Sequence, residues 1–196
     1  MGTLDHLIIE HAKEYDAEQN VGFKLVVVQP EMHDEDRANW WDAALRLGEI
    51  EVTGLGDLID VAERACVRAK KRGKAGKIRE LTISGHGNSG GFYVGNDWID
   101  LESIVSYAGA FARLSKSLAP KASVRLQHCE VGRDEPLLIV LSGFLGGASV
   151  SAGLNDQGPT DELIGDTVEC VFVRGCKHTP GLLNFVNGKK IKSRGK

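Results

Sequence analysis

Short segments containing Val, Ile or Leu alternate along the chain with segments whose apolar residues recur at helical spacing. The first short segment, 24–29, is a continuous β-branched run that ends at Pro30, which predicts a buried strand, and the others are predicted as strands too. The predicted strands cover residues 24–29, 78–83, 123–127, 148–152 and 167–174. A small hairpin is predicted from Phe92 to Ile99, because two short apolar runs flank Gly95-Asn96-Asp97.

Helices are predicted in the segments between these strands. Residues 57–72 carry an apolar stripe and end in arginine and lysine, which favour the C-terminal end of a helix. Residues 101–118 repeat apolar side chains at helical spacing, and residues 134–145 begin with acids and a proline typical of a first turn. A short helix is also predicted around Trp40-Trp41. Strands that alternate with helices predict an α/β fold with a mostly parallel central sheet and helices on both faces.

Length and composition are those of a single domain. The chain has 196 residues, of which 42% are hydrophobic, and this excludes a disordered protein. Neither repeats nor a linker divide it, so residues 1–196 are predicted to form one domain. The N-terminus lacks the pattern of a secretory signal, and the longest apolar run is shorter than the ~20 residues that span a bilayer. We therefore expect a cytoplasmic protein with no membrane partner, although export by a non-classical route stays open.

The four cysteines are few and scattered, which favours reduced thiols over a disulfide framework. A reduced thiol is available as a nucleophile. Cys176 and His178 could join His128 and Cys129 as zinc ligands, but no paired element with the spacing of a zinc site is present. No metal or other cofactor is expected.

The formal net charge of −3 conceals a segregation of charge. The charged residues of segment 64–79 are all basic, and so are those of the tail 189–196. Basic segments can bind phosphate groups, so an anion-binding or nucleic-acid-binding protein is one alternative function. Two observations disfavour it, because segment 84–91 lacks the Gly-Lys-Ser/Thr of a P-loop and neither basic segment contains aromatic residues. A solvated helix end and a solvated tail are the simpler interpretation.

Two neighbouring predicted strands lead to residues that can carry chemistry. Strand 78–83 is followed by His86, and strand 123–127 is followed by Cys129. In an α/β sheet, sites form at the carboxyl ends of the strands. A thiolate is a nucleophile, an imidazole can take up its proton, and the N–H groups of Gly87 and Cys129 can stabilise a developing negative charge. Either side chain alone is typical of a structural position, but together they predict a Cys–His site.

The segment LTISGHG, followed by VRLQHCEVG, resembles the two motifs of the caspase-like cysteine peptidases. Residues 78–158 are similar to the caspase-like domain found near the start of many giant bacterial surface proteins. The chain departs from the caspase motif Gln-Ala-Cys-x-Gly, because His128 replaces alanine and Gly132 comes one residue late. Adjacent side chains on a strand face opposite ways, so His128 is expected at a structural or rim position rather than as the base.

This resemblance implies a caspase-like three-layer sandwich and a cysteine endopeptidase acting on protein or peptide substrates. It implies that Cys129 is the nucleophile and that His86 is the general base and then the general acid. It also implies an oxyanion hole formed by the backbone N–H groups of Gly87 and Cys129.

The same resemblance implies a specificity pocket in segment 149–156, with Ser151 and Asp156 as the candidate substrate-binding residues. Asp156 would pair with a basic substrate side chain, and an ordinary loop aspartate is the alternative. The chain itself is a candidate substrate at the basic segment 70–72. A catalytically silent binding module with the same fold is a further alternative, disfavoured because both motif residues are present.

Overall fold

The computed structural model describes residues 22–29, 50–157, 163 and 165–180, and the backbone alone at 185–186 and 189–190. The helix predicted around Trp40-Trp41 and most of the basic tail lie outside these residues. The strands are β1 (Phe23–Val28), β2 (Ile50–Glu51), β3 (Ile78–Ser84), β4 (Gly87–Asn88), β5 (Gly91–Val94), β6 (Asp97–Asp100), β7 (Leu118–Gln127), β8 (Ser149–Gly153), β9 (Thr167–Val171), β10 (Gly175–Thr179), β11 (Phe185–Val186) and β12 (Lys189–Lys190). The helices are α1 (Leu55–Lys71), α2 (Ala108–Ser115) and α3 (Glu135–Phe144), with short 3-10 helices at Ile104–Tyr107 and Val131–Arg133.

Seven strands form the central sheet, in the order β10-β9-β8-β7-β3-β1-β2. The strands from β8 to β2 run parallel, whereas β9 and β10 pair antiparallel. The predicted α/β fold with a mostly parallel sheet is therefore confirmed. The prediction of one strand over 167–174 is wrong, because the chain turns back at 172–174 and continues as β10. Val173 and Gly175 make this turn with left-handed backbone angles, φ 79° and 75°.

One face of the sheet is apolar and packs against the helices. Helix α1 contacts α2 and α2 contacts α3, so the described helices form one continuous layer. Each fully buried leucine or isoleucine in this core stabilises the fold by about 1.5–3 kcal/mol relative to an exposed one. Strand residues of this face with at most 3% exposure include Leu25, Val27, Leu81, Ile83, Val124, Leu126, Val150 and Ala152. The opposite face is mixed, with buried Val26 and Val28 beside Glu80, which is ion-paired to Lys24 and Arg125 at 3.8 and 3.3 Å.

The segment predicted as one long helix over 101–118 contains a shorter one. A 3-10 helix precedes α2, which ends at Ser115, and Leu118 already belongs to β7 opposite Ile78 of β3. Because β7 pairs with β3, the strand begins at Leu118 rather than at the predicted residue 123, and the helix ends earlier than predicted. Helices α1 and α3 lie within two residues of their predicted bounds. No helix in the described part of the chain is long and apolar enough to cross a membrane.

Cys170 and Cys176 face one another across the β9–β10 pair and form a disulfide. The expectation of four reduced thiols is therefore wrong for these two. The antiparallel turn brings residues six positions apart into register, which one continuous strand would not allow. Disulfides are typical of oxidising compartments. The bonded sulfur of Cys176 is also not available to the zinc site considered from the sequence, whereas Cys66 and Cys129 are free thiols.

The predicted hairpin is confirmed as β5 and β6, and it joins β4 in a small three-stranded sheet. Its tip is fixed to the start of α1, because the Asp97 carboxylate accepts the Leu55 N–H at 2.7 Å. Gly95 turns with φ 58°, and a Cβ there would lie 2.1 Å from the Thr53 carbonyl carbon. Residue 95 therefore has to be glycine. The other end of the small sheet emerges from β3, at the edge where the predicted site lies.

Candidate active site

Strands β3 and β7 are parallel neighbours that end side by side, with Ser84 opposite Gln127. The Ser84 hydroxyl donates to the Gln127 amide oxygen at 2.7 Å, and the Gly85 N–H donates to the Gln127 carbonyl at 3.3 Å. His86 and Cys129 each follow two residues after this paired position, and both are partly exposed. The two residues therefore lie at the same level of the carboxyl edge of the sheet.

The backbone on both sides of His86 is fixed by hydrogen bonds. Its N–H donates to the side-chain oxygen of Gln29 at 3.0 Å, just beyond the end of β1. Its carbonyl accepts the Tyr93 N–H at 2.9 Å. The preceding Gly85 is tightly enclosed, since a Cβ there would lie 2.9 Å from the Gln29 oxygen and 3.1 Å from Nε2 of His128. Gln29 after β1, His128 after β7 and Tyr93 of β5 thus define the position of the His86 backbone after β3.

Gly87 runs directly against the residues on either side of Cys129. A Cβ at this position would lie 2.8 Å from Cβ of His128, 2.8 Å from Cγ2 of Val131 and 3.0 Å from the Gly91 carbonyl oxygen. Real Cβ atoms do not approach other atoms so closely, so the site requires glycine here. The missing side chain allows the loops after β3 and β7 to touch.

The direction of the Gly87 N–H follows from the pairing of β4 with β5. Gly87 lies opposite Phe92, and the hydrogen bond before it joins the His86 carbonyl to the Tyr93 N–H. In an antiparallel ladder, hydrogen-bonded and non-hydrogen-bonded pairs alternate. Gly87 and Phe92 form a non-hydrogen-bonded pair, so the Gly87 N–H points away from β5.

The chain turns away from the sheet abruptly after Cys129, two residues past the end of β7. Glu130 has a left-handed backbone with φ 57°, and its N–H donates to the Asn155 carbonyl at 3.1 Å. The Cys129 sulfur lies 4.0 Å from the Gln157 carbonyl oxygen, within reach of a weak S–H hydrogen bond. A Cβ on Gly132 would lie 2.7 Å from the Gly153 carbonyl oxygen. The segment that follows β8 therefore borders the thiol.

His128 is enclosed between the two strand-end loops and the hairpin. It is 0% exposed, and its ring centroid lies 5.2 Å from that of Phe92. Its Nε2 lies 2.9 Å from the Tyr93 carbonyl oxygen, and its Nδ1 has no hydrogen-bond partner among the described residues. Burial lowers the pKa of His128 from 6.5 to about 4, the bond to Tyr93 opposes this, and the charge of His86 lowers it further. The ring is thus neutral near pH 7, with Nε2–H donating. His128 was expected at a structural or a rim position. The structural position is confirmed, and the rim position is wrong.

The lowered pKa of His128 makes stability depend on pH. Between pH 6.5 and about 4 the unfolded chain binds a proton that the folded chain does not. The free energy of unfolding should therefore fall as pH drops through this window, by at most about 3 kcal/mol from this residue. His128→Gln keeps a donor for Tyr93 and does not titrate, so urea denaturation should show a smaller fall in the variant. The same fall in both proteins would contradict this assignment.

A family model described as a domain of unknown function (DUF4347) matches residues 59–166, more than half of the chain. The chain belongs to the DUF4347 family. The DUF4347 match includes both strand-end loops and the hairpin between them. No curated protein matches the chain.

The structure brings together three of the residues singled out from the sequence of this DUF4347 domain, leaves Asp156 in a bordering segment and separates Ser151 from them. His86, Gly87 and Cys129 meet at one sheet edge. Asp156 is exposed in the segment that borders Cys129. Ser151 lies within β8 opposite Arg125, four residues before Cys129, so it is set back from the edge by about 13 Å at the rise of a strand.

Three contributors to the DUF4347 site were not predicted from the sequence. Gln29 accepts the His86 N–H, Tyr93 links His86 to His128, and the Gln157 carbonyl lies beside the thiol. Gln29 could have been found, because it follows a predicted parallel strand at the same edge. Tyr93 and Gln157 act through backbone atoms, which leave no signal in the sequence.

The basic segment 64–79 begins on helix α1. The last turn of α1 contains Arg68, Lys70 and Lys71, whose positive charges interact favourably with the negative end of the helix dipole. Lys70, Lys71 and the capping Arg72 are exposed. The segment thus includes an exposed helix end and the loop that follows it.

Proposed function

We propose that this DUF4347 domain is a cysteine endopeptidase in which Cys129 is the nucleophile and His86 is the general base. The register of β3 and β7 carries the proposal, since it sets both residues two positions beyond the same paired level. A base must come within hydrogen-bond reach of its nucleophile, and neighbouring strands about 4.8 Å apart bring the two backbones close enough to allow this. The bonds from Gln29 and Tyr93 support it further, because they hold the His86 backbone in place.

Two backbone N–H groups are suited to hold the oxyanion. The Gly87 N–H is not used by the β4–β5 ladder, and the residue packs closely against His128, which precedes Cys129, and against Val131. The Cys129 N–H belongs to the nucleophile itself and lies close to the carbon that would be attacked. Such donors stabilise negative charge that develops only in the transition state, so they lower the barrier rather than tighten substrate binding.

The proposed reaction has two halves. His86 takes the thiol proton, and the Cys129 sulfur attacks the scissile carbonyl, whose oxygen becomes negative. The C–N bond then breaks as His86 gives the proton to the leaving amine, and a thioester remains on Cys129. Water, deprotonated by His86, attacks the thioester, and the acid product and the thiol are released.

A caspase-like three-layer sandwich is part of the same proposal. Its support is the mostly parallel sheet and the helical layer on the apolar face, which are two of the three layers, and the position of His86 and Cys129 at the carboxyl edge. Helix α2 lies between β3 and β7 in the chain and α3 lies between β7 and β8.

We further propose a basic substrate residue before the scissile bond. Its support is Asp156, an exposed carboxylate between Asn155 and Gln157, both of which border the Cys129 loop. Cleavage of the chain at the basic segment 70–72 has less support, because this segment is the end of α1 and its cap. It would have to unwind to enter a site, whereas exposed extended loops are cut readily. Protein or peptide substrates other than the chain itself are therefore preferred.

Thiol alkylation tests the proposed dyad without a known substrate. At pH 6.5 an ordinary thiol is almost entirely protonated, whereas a thiolate paired with imidazolium reacts about tenfold faster or more. We expect iodoacetamide to modify Cys129 at this faster rate and to spare Cys66, which is buried and whose pKa is raised by burial. Peptide mapping by mass spectrometry measures both rates in one sample.

The His86→Gln variant is the control for this measurement. It removes the imidazole, keeps a side chain of similar size and should reduce the rate at Cys129 to that of glutathione at pH 6.5. A His178→Gln variant alters an exposed histidine paired with Glu135 and should leave the rate unchanged. An unaltered Cys129 rate in His86→Gln would exclude the dyad and leave a binding module as the better explanation.

A further inference from the structure

Two aromatic side chains form a partly exposed surface on the hairpin beside His86. Tyr93 of β5 lies directly opposite Trp98 of β6, with ring centroids 4.8 Å apart and an interplanar angle of 59°. Both residues are partly exposed, whereas Phe92 and Ile99 on the other face are 0% exposed. The hairpin therefore has one face that builds the core and one aromatic face toward solvent. We call Tyr93 and Trp98 the aromatic shelf.

The Trp98 ring is held in a fixed orientation. Its Nε1–H donates to the Asp100 carboxylate at 2.9 Å. A Cβ on Gly91 would lie 2.7 Å from Cζ2 of Trp98, so the indole occupies the space that a side chain would otherwise take. The Asp100 carboxylate is held in turn by Ser103, whose N–H donates to it at 2.7 Å. A rigid aromatic surface loses little conformational entropy when it binds an apolar group.

The shelf continues directly from the proposed base. The His86 carbonyl accepts the Tyr93 N–H, so His86 lies opposite Tyr93 just as Tyr93 lies opposite Trp98. Residues opposite one another in antiparallel strands share a face. His86, Tyr93 and Trp98 thus form one cross-strand row, while Phe92 on the other face contacts His128 beside the nucleophile.

In the proposed reaction, the acyl part of the substrate is bonded to Cys129, and His86 gives its proton to the leaving amine. The residues that follow the scissile bond therefore lie on the His86 side. A side chain there meets the row that begins at His86, and the first surface it reaches is Tyr93 and then Trp98.

We propose that the aromatic shelf is a subsite for the residue that follows the scissile bond, and that it accepts a bulky aromatic or aliphatic side chain. This inference rests on the proposed function, since it needs cleavage by Cys129. It names a substrate class: peptides with a large apolar residue on the leaving-group side. The shelf is a specificity determinant and takes no part in bond breaking.

A pair of peptides tests the shelf. The two share one sequence before the scissile bond, chosen by cleavage of a proteome digest, and differ only in phenylalanine or alanine after it. The wild-type protein should show kcat/KM about tenfold or more higher for the phenylalanine peptide, since even one methylene in an apolar subsite changes kcat/KM by about tenfold or more. Trp98→Ala should bring the ratio close to one by lowering kcat/KM for the phenylalanine peptide alone. Trp98→Phe should keep most of the preference.

The alanine peptide separates failure of the shelf from failure of the proposed function. If wild-type protein cleaves neither peptide, the proposed function fails, and the shelf fails with it. If it cleaves both and Trp98→Ala leaves the ratio unchanged or lowers both values equally, the shelf is excluded while the endopeptidase remains. Tyr93→Leu keeps the backbone bonds to His86 and His128, and it should lower the ratio without abolishing cleavage of the alanine peptide.

Discussion

Replacing either Cys129 or His86 by alanine is expected to lower kcat/KM for a cleaved peptide by about 10⁴ or more, the loss seen when one member of a catalytic unit is removed. Without the sulfur no thioester forms. Without the imidazole the thiol stays protonated and the leaving amine receives no proton. Both side chains are only partly buried, so neither replacement should open a large core cavity.

The fold has to be checked in the same samples. Thermal unfolding followed by circular dichroism should show both alanine variants within a few degrees of the wild type, since partly exposed side chains contribute little packing. Cys66→Ala is the matched control, because it removes a free thiol that lies buried in α1, away from the sheet edge. It should keep wild-type kcat/KM. Wild-type kcat/KM in Cys129→Ala or in His86→Ala would show that the dyad is assigned wrongly.

The second large effect is expected from Gly87→Ala, which adds one methyl group. The new Cβ would lie 2.8 Å from both His128 Cβ and Val131 Cγ2, so the loops after β3 and β7 must move apart. A displaced Gly87 N–H no longer fits the oxyanion, and the loss of one such donor lowers kcat by about 10²–10³. Overpacking should also reduce the free energy of unfolding by about 1–3 kcal/mol.

Gly90→Ala is the control for this change in the same loop. Its Cβ would meet only the Asn88 side-chain oxygen, at 3.3 Å, which can move aside. Steady-state kinetics should therefore show a fall in kcat for Gly87→Ala with KM little altered, and neither change for Gly90→Ala. Equal kcat values in the two variants would contradict a role for the Gly87 N–H at the oxyanion.

The pattern of the sequence predicts the sheet edge well, because it depends on local signals. Short segments with Val, Leu and Ile that end at 83 and 127 identify two strands, and parallel connections bring their carboxyl ends together. The positions of His86 and Cys129 at one edge of the sheet can therefore be predicted without knowing the loop structures. Gly87 is predictable for the same reason, since a glycine beside a candidate catalytic histidine points to a close backbone approach.

The hydrogen bonds that fix the site are not predictable in this way. Tyr93 links His86 and His128 through its backbone N–H and carbonyl, and these atoms are the same in every residue type. The burial of His128 depends on Phe92 of the hairpin. The position of the hairpin is fixed by Asp97, which accepts the Leu55 N–H at the start of α1. Such contacts arise only once distant segments have packed.

The prediction of one strand over 167–174, which missed the turn between β9 and β10, is wrong for a different reason. Val173 is a β-branched residue with φ 79°, a conformation that sterics disfavour for its side chain. The apolar, β-branched segment 167–174 therefore indicates one continuous strand. The pairing of β9 with β8 and β10 overrides this local preference of the backbone. The Cys170–Cys176 disulfide was missed for the same reason, because it exists only across the turn.

The double variant Cys129→Ala/His86→Ala is the most direct test of the central claim that these two residues act as one catalytic unit. Its kcat/KM is compared with that of each single variant on the same peptide, at the pH where the wild type is most active. We expect the double variant to lose no more than the more damaging single variant, because either change already removes the thiolate attack. Losses that multiply, so that the double variant falls far below both single variants, would contradict a shared mechanism at this sheet edge.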